Sequence, residues 1–111
     1  MTDIPNLEFT PEQMRRMAEA VAARCIDHVA TLGAQPIVGD IHDAAFVRAL
    51  VAGPPEAPQA LEPTLDFLFS ECIPRSYTAS SPGYLGYIPG GGVYPAALAD
   101  FIADTTNRYT G

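Results

Sequence analysis

Residues 10–33 read TPEQMRRMAEAVAARCIDHVATLG, and this stretch points to the fold class. Thr10 suits an N-cap, Pro11 the first helical position, and Gln13 can complete a capping box. The sequence therefore predicts an amphipathic helix of about six turns that ends at Gly33. Its apolar positions recur at three- and four-residue steps and are predicted to fill the core: Met14, Met17, Ala18, Val21, Cys25, Ile26, Val29 and Leu32.

Three further helices are predicted downstream. Asp40 can cap a short helix over residues 41–52, after which several prolines predict an extended connector. A third helix is predicted from Leu61 or Pro63 to Cys72, ending before the next proline. A fourth begins near Pro95 and runs almost to the end of the chain. Because no stretch alternates with period two, the predicted fold class is all-α, with four helices and long loops.

Residues 75–93 form a glycine-rich segment with several aromatic side chains. Helix propensity cannot hold such a segment, so its tyrosines must pack either on the core of this domain or on another chain. Gly90, Gly91 and Gly92 precede a helix, as phosphate-binding glycines do, but lack the G-x-G-x-x-G or Gly-Lys-Ser/Thr pattern. A tight turn with close chain approach is the favoured interpretation.

Composition excludes several function classes. The net charge of −7 disfavours a nucleic-acid partner. The sequence has no signal peptide pattern and no apolar run long enough for a membrane span, so a cytoplasmic protein is expected. Cys25 and Cys72 are predicted to be buried free thiols rather than a disulfide or a zinc site.

The titratable residues form no convincing catalytic group. His28 and His42 are each predicted to lie on a helix, at the surface. Asp100 and Asp104 share a helix face, which is predicted to be solvated and partly paired with Arg108 rather than to bind a metal. A second surface pair, Glu12 with Arg16, is predicted on the first helix.

One long motif points to a known family. Residues 81–104 read SPGYLGYIPGGGVYPAALADFIAD and are followed by TTNRY at 105–109. This motif resembles the group II pyridoxal-phosphate-dependent decarboxylases, which act on aromatic amino acids, histidine or glutamate. The long first helix, the proline-rich connector and the sequence Cys72-Ile73-Pro74 fit as well. The resemblance covers nearly all of this chain but only the first fifth or quarter of a family member.

The resemblance implies that residues 1–111 are the N-terminal, swapped helical segment of a fold-type I enzyme. Such a segment wraps around a second subunit, so the expected partners are a homodimer mate or the enzyme's large domain, with a small amino-acid substrate. Within the motif, the resemblance assigns Tyr87, Ile88, Pro89 and Gly90 to the substrate pocket. Many aromatic-amino-acid decarboxylases have a threonine where this chain has Gly90, which leaves the substrate open.

The chain contains no lysine, and its six basic residues are all arginines. A pyridoxal-phosphate enzyme of this kind holds its cofactor as a Schiff base on a lysine amine. The cofactor is therefore expected in the parent enzyme and not on this chain alone. The chain is expected to be inactive by itself, as a fragment, a truncated reading frame or one half of a split enzyme. Two alternatives stay open: a non-catalytic helical module that binds a full-length relative, and a related reaction on the same scaffold.

Overall fold

A computed structural model describes residues 7–86, 90–109 and 111, and it contains four α-helices within those ranges. They are α1 (Pro11–Ala30), α2 (Ala44–Ala49), α3 (Leu61–Phe67) and α4 (Tyr94–Thr106). A π-helical turn, Leu68–Cys72, and a 3-10 turn, Ile73–Arg75, extend α3. No strand forms among the described residues, where an isolated antiparallel bridge joins Val38 to Tyr77. The all-α prediction with four helices is confirmed.

The start of α1 follows the sequence prediction. The Gln13 amide donates to the Thr10 hydroxyl at 3.2 Å, and the Thr10 amide donates to the Gln13 side chain at 2.8 Å, which completes the capping box. The predicted end at Gly33 is wrong. Helix α1 ends at Ala30, because Thr31 leaves the helical conformation with φ of −101° and ψ of 4°, while its hydroxyl donates to the Asp27 carbonyl. A 3-10 turn, Leu32–Ala34, follows.

The predicted bounds of the second helix are also wrong. Helix α2 is six residues long, and its N-cap is Asp43, whose carboxylate accepts the Phe46 amide at 2.8 Å. Asp40 does not cap it, because the chain turns between Gly39 and Ala44 before the helix begins. His42 therefore lies in a turn and not on a helix. The predicted third helix is α-helical only to Phe67 and continues to Cys72 as a π turn.

Helix α4 begins at Tyr94, one residue before the predicted start. The predicted ion pair between Asp104 and Arg108 is absent from the described part of the chain. The helix ends at Thr106, and Asn107 adopts a left-handed conformation with φ of 41°. This backbone turn takes Arg108 out of the helical register that the ion pair requires.

Little of the molecule is buried. Among the described residues, only Leu65 and Ser81 are buried. The radius of gyration is 17.3 Å, whereas about 13 Å is expected for a compact domain of this size. The accessible surface is 9429 Å², against roughly 5,900 Å² for a folded monomer of equal mass. The apolar stripe of α1, predicted to fill a core, is therefore left largely uncovered within this chain.

Candidate functional site

The predicted substrate-binding residues fall in a segment that we call the pocket loop, residues 81–90. Tyr87, Ile88 and Pro89 lie outside the described residues. Gly90 is exposed, and a Cβ built on it would meet nothing within 4 Å. The structure thus places Gly90 in an open position, four residues before α4 begins.

Hydrogen bonds hold the start of the pocket loop to the segment that follows α1. The Thr78 amide donates to the Ile37 carbonyl at 2.8 Å, and the Thr78 hydroxyl donates to the Pro36 carbonyl at 2.9 Å. The Ser81 amide then donates to the Thr78 carbonyl, and the Tyr84 amide donates to the Ser81 carbonyl, both at 3.0 Å. Ser81, one of the two described residues that are buried, therefore begins the loop in a hydrogen-bonded turn.

Two glycines bring other parts of the chain close to the pocket loop. A Cβ on Gly83 would lie 2.8 Å from the Ile37 side chain. A Cβ on Gly91 would lie 3.0 Å from the Cβ and 3.1 Å from the Cα of Ser80. At Gly83 the neighbour is the flexible end of the Ile37 side chain, whereas a side chain at position 91 would require Ser80 to shift by a few tenths of an ångström. The predicted close chain approach within the triple-glycine run is confirmed at Gly91.

An open apolar groove, the α1–α4 groove, runs between the first and last helices. Its volume is about 620 Å³, and none of the described residues that line it carries a carboxylate or a guanidinium. Phe101 is 60% exposed there. The side chains that α1 and α4 contribute include Val21, Cys25, Val29, Tyr94, Leu98 and Phe101. Exposed apolar surface of this extent is typical of an interaction site or a ligand-binding groove.

An ionic cluster joins α1 to α3. The Arg24 guanidinium donates to Asp66 at 2.7 Å and to Glu62 at 2.8 Å, and its other nitrogen donates to the Ala20 carbonyl at 3.2 Å. The hydrogen bonds that Arg24 donates to Asp66, and next to Glu62, raise the pKa of Arg24 above its usual value. Sequence reasoning missed this cluster, because its members are 38 and 42 residues apart and no local pattern links them.

A second cluster joins α2 to the turn that follows α3. Arg75 donates to Asp43 at 3.2 Å and to Glu71 at 2.9 Å, and it stacks over the Phe46 ring. The Asp43 carboxylate accepts hydrogen bonds from the Phe46 amide and from Arg75. Both bonds lower the pKa of Asp43 below its usual range, and the bond from Phe46 has the larger effect. Asp43 in turn raises the pKa of Arg75. Only the Glu71–Arg75 spacing of four residues could have indicated part of this cluster.

The other titratable residues do not assemble into a site. No group of three or more potential metal ligands occurs among the described residues. His28 is half-buried, with its ring centre 6.4 Å from that of Phe69 in an edge-to-face arrangement, and His42 is exposed. Cys25 and Cys72 are free as predicted but only half-buried.

Two further sequence predictions can be compared with the structure. The predicted Glu12–Arg16 ion pair forms, with a distance of 3.3 Å between the charged atoms. No described helix is long and apolar enough to cross a membrane.

Comparison with known proteins relates this chain to enzymes. Over 104 residues, 94% of this chain, it is 26% identical to an aromatic-L-amino-acid decarboxylase from Bacillus atrophaeus. Over 97 residues, 87% of this chain, it is 24% identical to tyrosine decarboxylase 1 from Narcissus pseudonarcissus. The chain resembles a decarboxylase N-terminus. It spans 22% and 19% of the length of these two curated relatives. No family model and no solved structure matches it.

The residues of this decarboxylase-like segment do not fit a pyridoxal-phosphate site. The sequence has no lysine to form the imine. Arg24 and Arg75, which could otherwise hold a phosphate, are each paired with two carboxylates. No catalytic step is therefore assigned to this chain's own residues.

Proposed function

We propose that this chain is the N-terminal portion of a pyridoxal-phosphate-dependent amino-acid decarboxylase, in which it contributes part of the dimer interface and one wall of the substrate pocket. The observation that carries the proposal is the alignment of 94% of the chain with about a fifth of a decarboxylase. The reaction is loss of the α-carboxylate of an amino acid as carbon dioxide. The cofactor and its lysine belong to the remainder of the enzyme.

The open α1–α4 groove supports the interface part of the proposal. An isolated chain of this size that leaves almost every apolar side chain accessible gains little free energy from burial. A second subunit or the large domain would cover the groove and supply the missing burial. A stable interface covers about 800 Å² on each partner, well within the surface that this chain exposes in excess of a compact monomer.

Tyr87, Ile88, Pro89 and Gly90 form the proposed wall of the pocket. The resemblance implies this role. Gly90 offers no side-chain hydroxyl where many aromatic-amino-acid decarboxylases have a threonine, so the substrate side chain is to be determined by experiment. The activities named for the two relatives make aromatic amino acids the first substrates to test.

The deciding experiment uses the native protein that carries this segment, purified from cytoplasmic extract through a tag ahead of Met1. It is incubated with pyridoxal phosphate and with carboxyl-labelled L-tyrosine, L-phenylalanine, L-histidine or L-glutamate. Release of labelled carbon dioxide from one of them is expected. Chain 1–111 mixed with the cofactor and borohydride should give no stable adduct beyond a weak reaction of the terminal amine. Stoichiometric, stable capture of the cofactor by chain 1–111 would contradict the proposal that the remainder of the enzyme holds it.

A second candidate function is a non-catalytic module that binds a full-length decarboxylase. The apolar groove together with the absence of lysine favours this reading. It predicts that the native protein releases no carbon dioxide itself but co-purifies with a decarboxylase and changes its activity. The labelled-substrate assay therefore separates the two functions.

A further inference from the structure

A cavity of about 390 Å³ lies beside the last turns of α1, and we call it the α1 cavity. Its size falls within the roughly 300–1,000 Å³ of small-molecule sites. One wall is formed by α1, and the others by the segment after α1 and by the turns that extend α3. His28 and Phe69 line both this cavity and the α1–α4 groove, so the two are adjacent.

The α1 wall of the cavity is a polar stripe. Its members recur at three- and four-residue steps, which places them on one face of the helix: Arg24, Asp27, His28 and Thr31. The side-chain amide of Gln35 donates to the His28 carbonyl and to the Thr31 hydroxyl, both at 2.9 Å. Because a backbone carbonyl only accepts, the amide nitrogen must point that way, and the side-chain oxygen of Gln35 is left as an acceptor.

The charge at the α1 cavity is negative. Within the described part of the chain, the Asp27 side chain takes part in no ion pair. Arg24 is already paired with Glu62 at 2.8 Å and with Asp66 at 2.7 Å. One guanidinium therefore stands against three carboxylates at or next to the cavity. This balance favours a cationic ligand and repels an anionic one.

The remaining walls suit an organic cation better than a metal ion. Residues 7–86, 90–109 and 111 contain no group of three or more potential metal ligands. The half-buried ring of Phe69 lines the cavity opposite the polar stripe, and three apolar side chains accompany it: Pro36, Ile73 and Pro74. An aromatic ring near a carboxylate is an arrangement that binds ammonium groups with an apolar body.

Hydrogen bonds hold the walls of the cavity together without a ligand. The Thr78 hydroxyl donates to the Pro36 carbonyl at 2.9 Å, and both residues line the cavity. The Thr78 amide donates to the Ile37 carbonyl at 2.8 Å. Walls that are fixed in advance lower the entropy lost when a ligand binds.

We propose that the α1 cavity binds a small primary amine, with its ammonium group on the Asp27 carboxylate and its apolar body against Phe69. An ammonium group has three donors and no acceptor, which complements the acceptors of Asp27 and Gln35. The amine that remains after an amino acid loses its carboxylate has this chemistry, so the cavity would select a product of the proposed reaction over its substrate. That last link rests on the proposed function, whereas amine binding itself does not.

The probe is radiolabelled 2-phenylethylamine, and equilibrium dialysis against chain 1–111 at neutral pH and low salt measures its binding. Saturable binding with a Kd of about 1 mM or tighter is expected. Two competitors differ from the probe in one feature each: 2-phenylethanol lacks the charge, and L-phenylalanine adds a carboxylate. Each should compete about tenfold less well than the unlabelled amine, because a charge-assisted hydrogen bond is lost or a like charge is brought to the cavity.

Asp27→Asn is the test variant, and Asp100→Asn is the matched control. Asp100 is exposed and lines neither the α1 cavity nor the α1–α4 groove. Asp27→Asn should weaken amine binding about tenfold, and Asp100→Asn should leave it unchanged. Asp27→Glu keeps the charge and should retain more affinity than Asp27→Asn. Far-UV circular dichroism verifies that each variant keeps its helices, and the competition on the wild-type chain depends on no variant.

A ¹H–¹⁵N titration of chain 1–111 with the amine locates the site. Gln35 and Thr78 line the α1 cavity but not the α1–α4 groove, whereas Ala97 and Phe101 line the groove but not the cavity. The amides of Gln35 and Thr78 should therefore shift. Shifts confined to Ala97 and Phe101 would place the amine in the groove and overturn the proposal.

Three further results would also overturn it: no saturable binding of the amine, competition by 2-phenylethanol equal to that by the amine, or equal affinities of the Asp27→Asn and Asp100→Asn variants. The carbon dioxide assay of the native protein tests the proposed function separately. Amine binding without decarboxylation would overturn that function and leave the cavity as an amine site. Decarboxylation without amine binding to chain 1–111 would overturn the cavity alone.

Discussion

The guanidinium carbon of Arg75 lies 4.1 Å from the centre of the Phe46 ring. The two residues are 29 positions apart in the sequence, and this contact attaches α2 to the turn after α3. Asp43 completes the arrangement, because it caps α2 and also accepts a hydrogen bond from Arg75 at 3.2 Å. A single side chain thus meets the ring and the cap of the same short helix.

Replacement of Arg75 by lysine should lower the thermal midpoint of the chain. Lysine keeps the charge but lacks the planar fork that stacks on Phe46 while donating to Asp43 and Glu71. The matched control is Arg48→Lys, on the exposed surface of α2. Circular dichroism melts of both variants measure the effect, and equal midpoints would show that the stacked arrangement adds nothing.

The free energy of unfolding should decrease in acid, because the Asp43 carboxylate becomes protonated there. Its pKa is below the usual 3.8 in the folded chain, chiefly because its carboxylate accepts the Phe46 amide and then because of Arg75. Because the pKa of Asp43 is lower in the folded chain than in the unfolded chain, its ionised carboxylate stabilises the fold fully at any pH above the unfolded-state pKa. This stabilisation is lost as the pH falls through the folded-state pKa. Urea midpoints measured from pH 7 down to pH 2 should therefore drop more steeply for wild type than for Asp43→Asn. Parallel curves would contradict this assignment.

Gly39→Ala should destabilise the chain by about 1–3 kcal/mol, as overpacking does. A Cβ on Gly39 would overlap the Pro74 carbonyl oxygen and lie 2.7 Å from its carbon. The hydrogen bond from the Gly39 amide to Ser76 would be strained as a result. Gly53→Ala is the control, because its Cβ meets open space, and it should be neutral or stabilising by up to about 1 kcal/mol. Urea unfolding at neutral pH compares them, and equal free energies would refute the packing assignment.

Ala97→Glu should weaken self-association or docking to the large domain by about tenfold or more, since it places a charge in the apolar groove. Ala97 lines the α1–α4 groove, whereas Ala99 on the same helix does not. Ala99→Glu adds the same charge and length, so it is the matched control. Sedimentation equilibrium of chain 1–111 measures association. A monomeric wild-type chain with a sharp melting transition, or an equal effect of the two variants, would contradict the proposed interface.

Sequence reasoning succeeded where neighbouring residues decide the structure. The capping box at Thr10 and Gln13 involves residues three positions apart, and its hydrogen bonds form as predicted. It failed at α2, where Asp40 was the predicted cap and Asp43 takes that place. Asp43 is also held by Arg75, 32 residues further along, and no local pattern contains that contact. The predicted pocket residues 87–89 stay a prediction, because they lie outside the described residues.

The amino-acid order was enough to establish an all-α chain without lysine, because helix periodicity, caps and composition are local properties. It also carried the motif of residues 81–104 that resembles the decarboxylases. Tertiary structure alone revealed that the stripe of α1 faces an open groove, that Arg24 and Arg75 bridge separate helices, and that Gly91 rests on Ser80. Each of these features joins residues that are far apart in the sequence. Burial, ion pairing and close contact between such residues depend on the tertiary fold, and no local sequence pattern contains them.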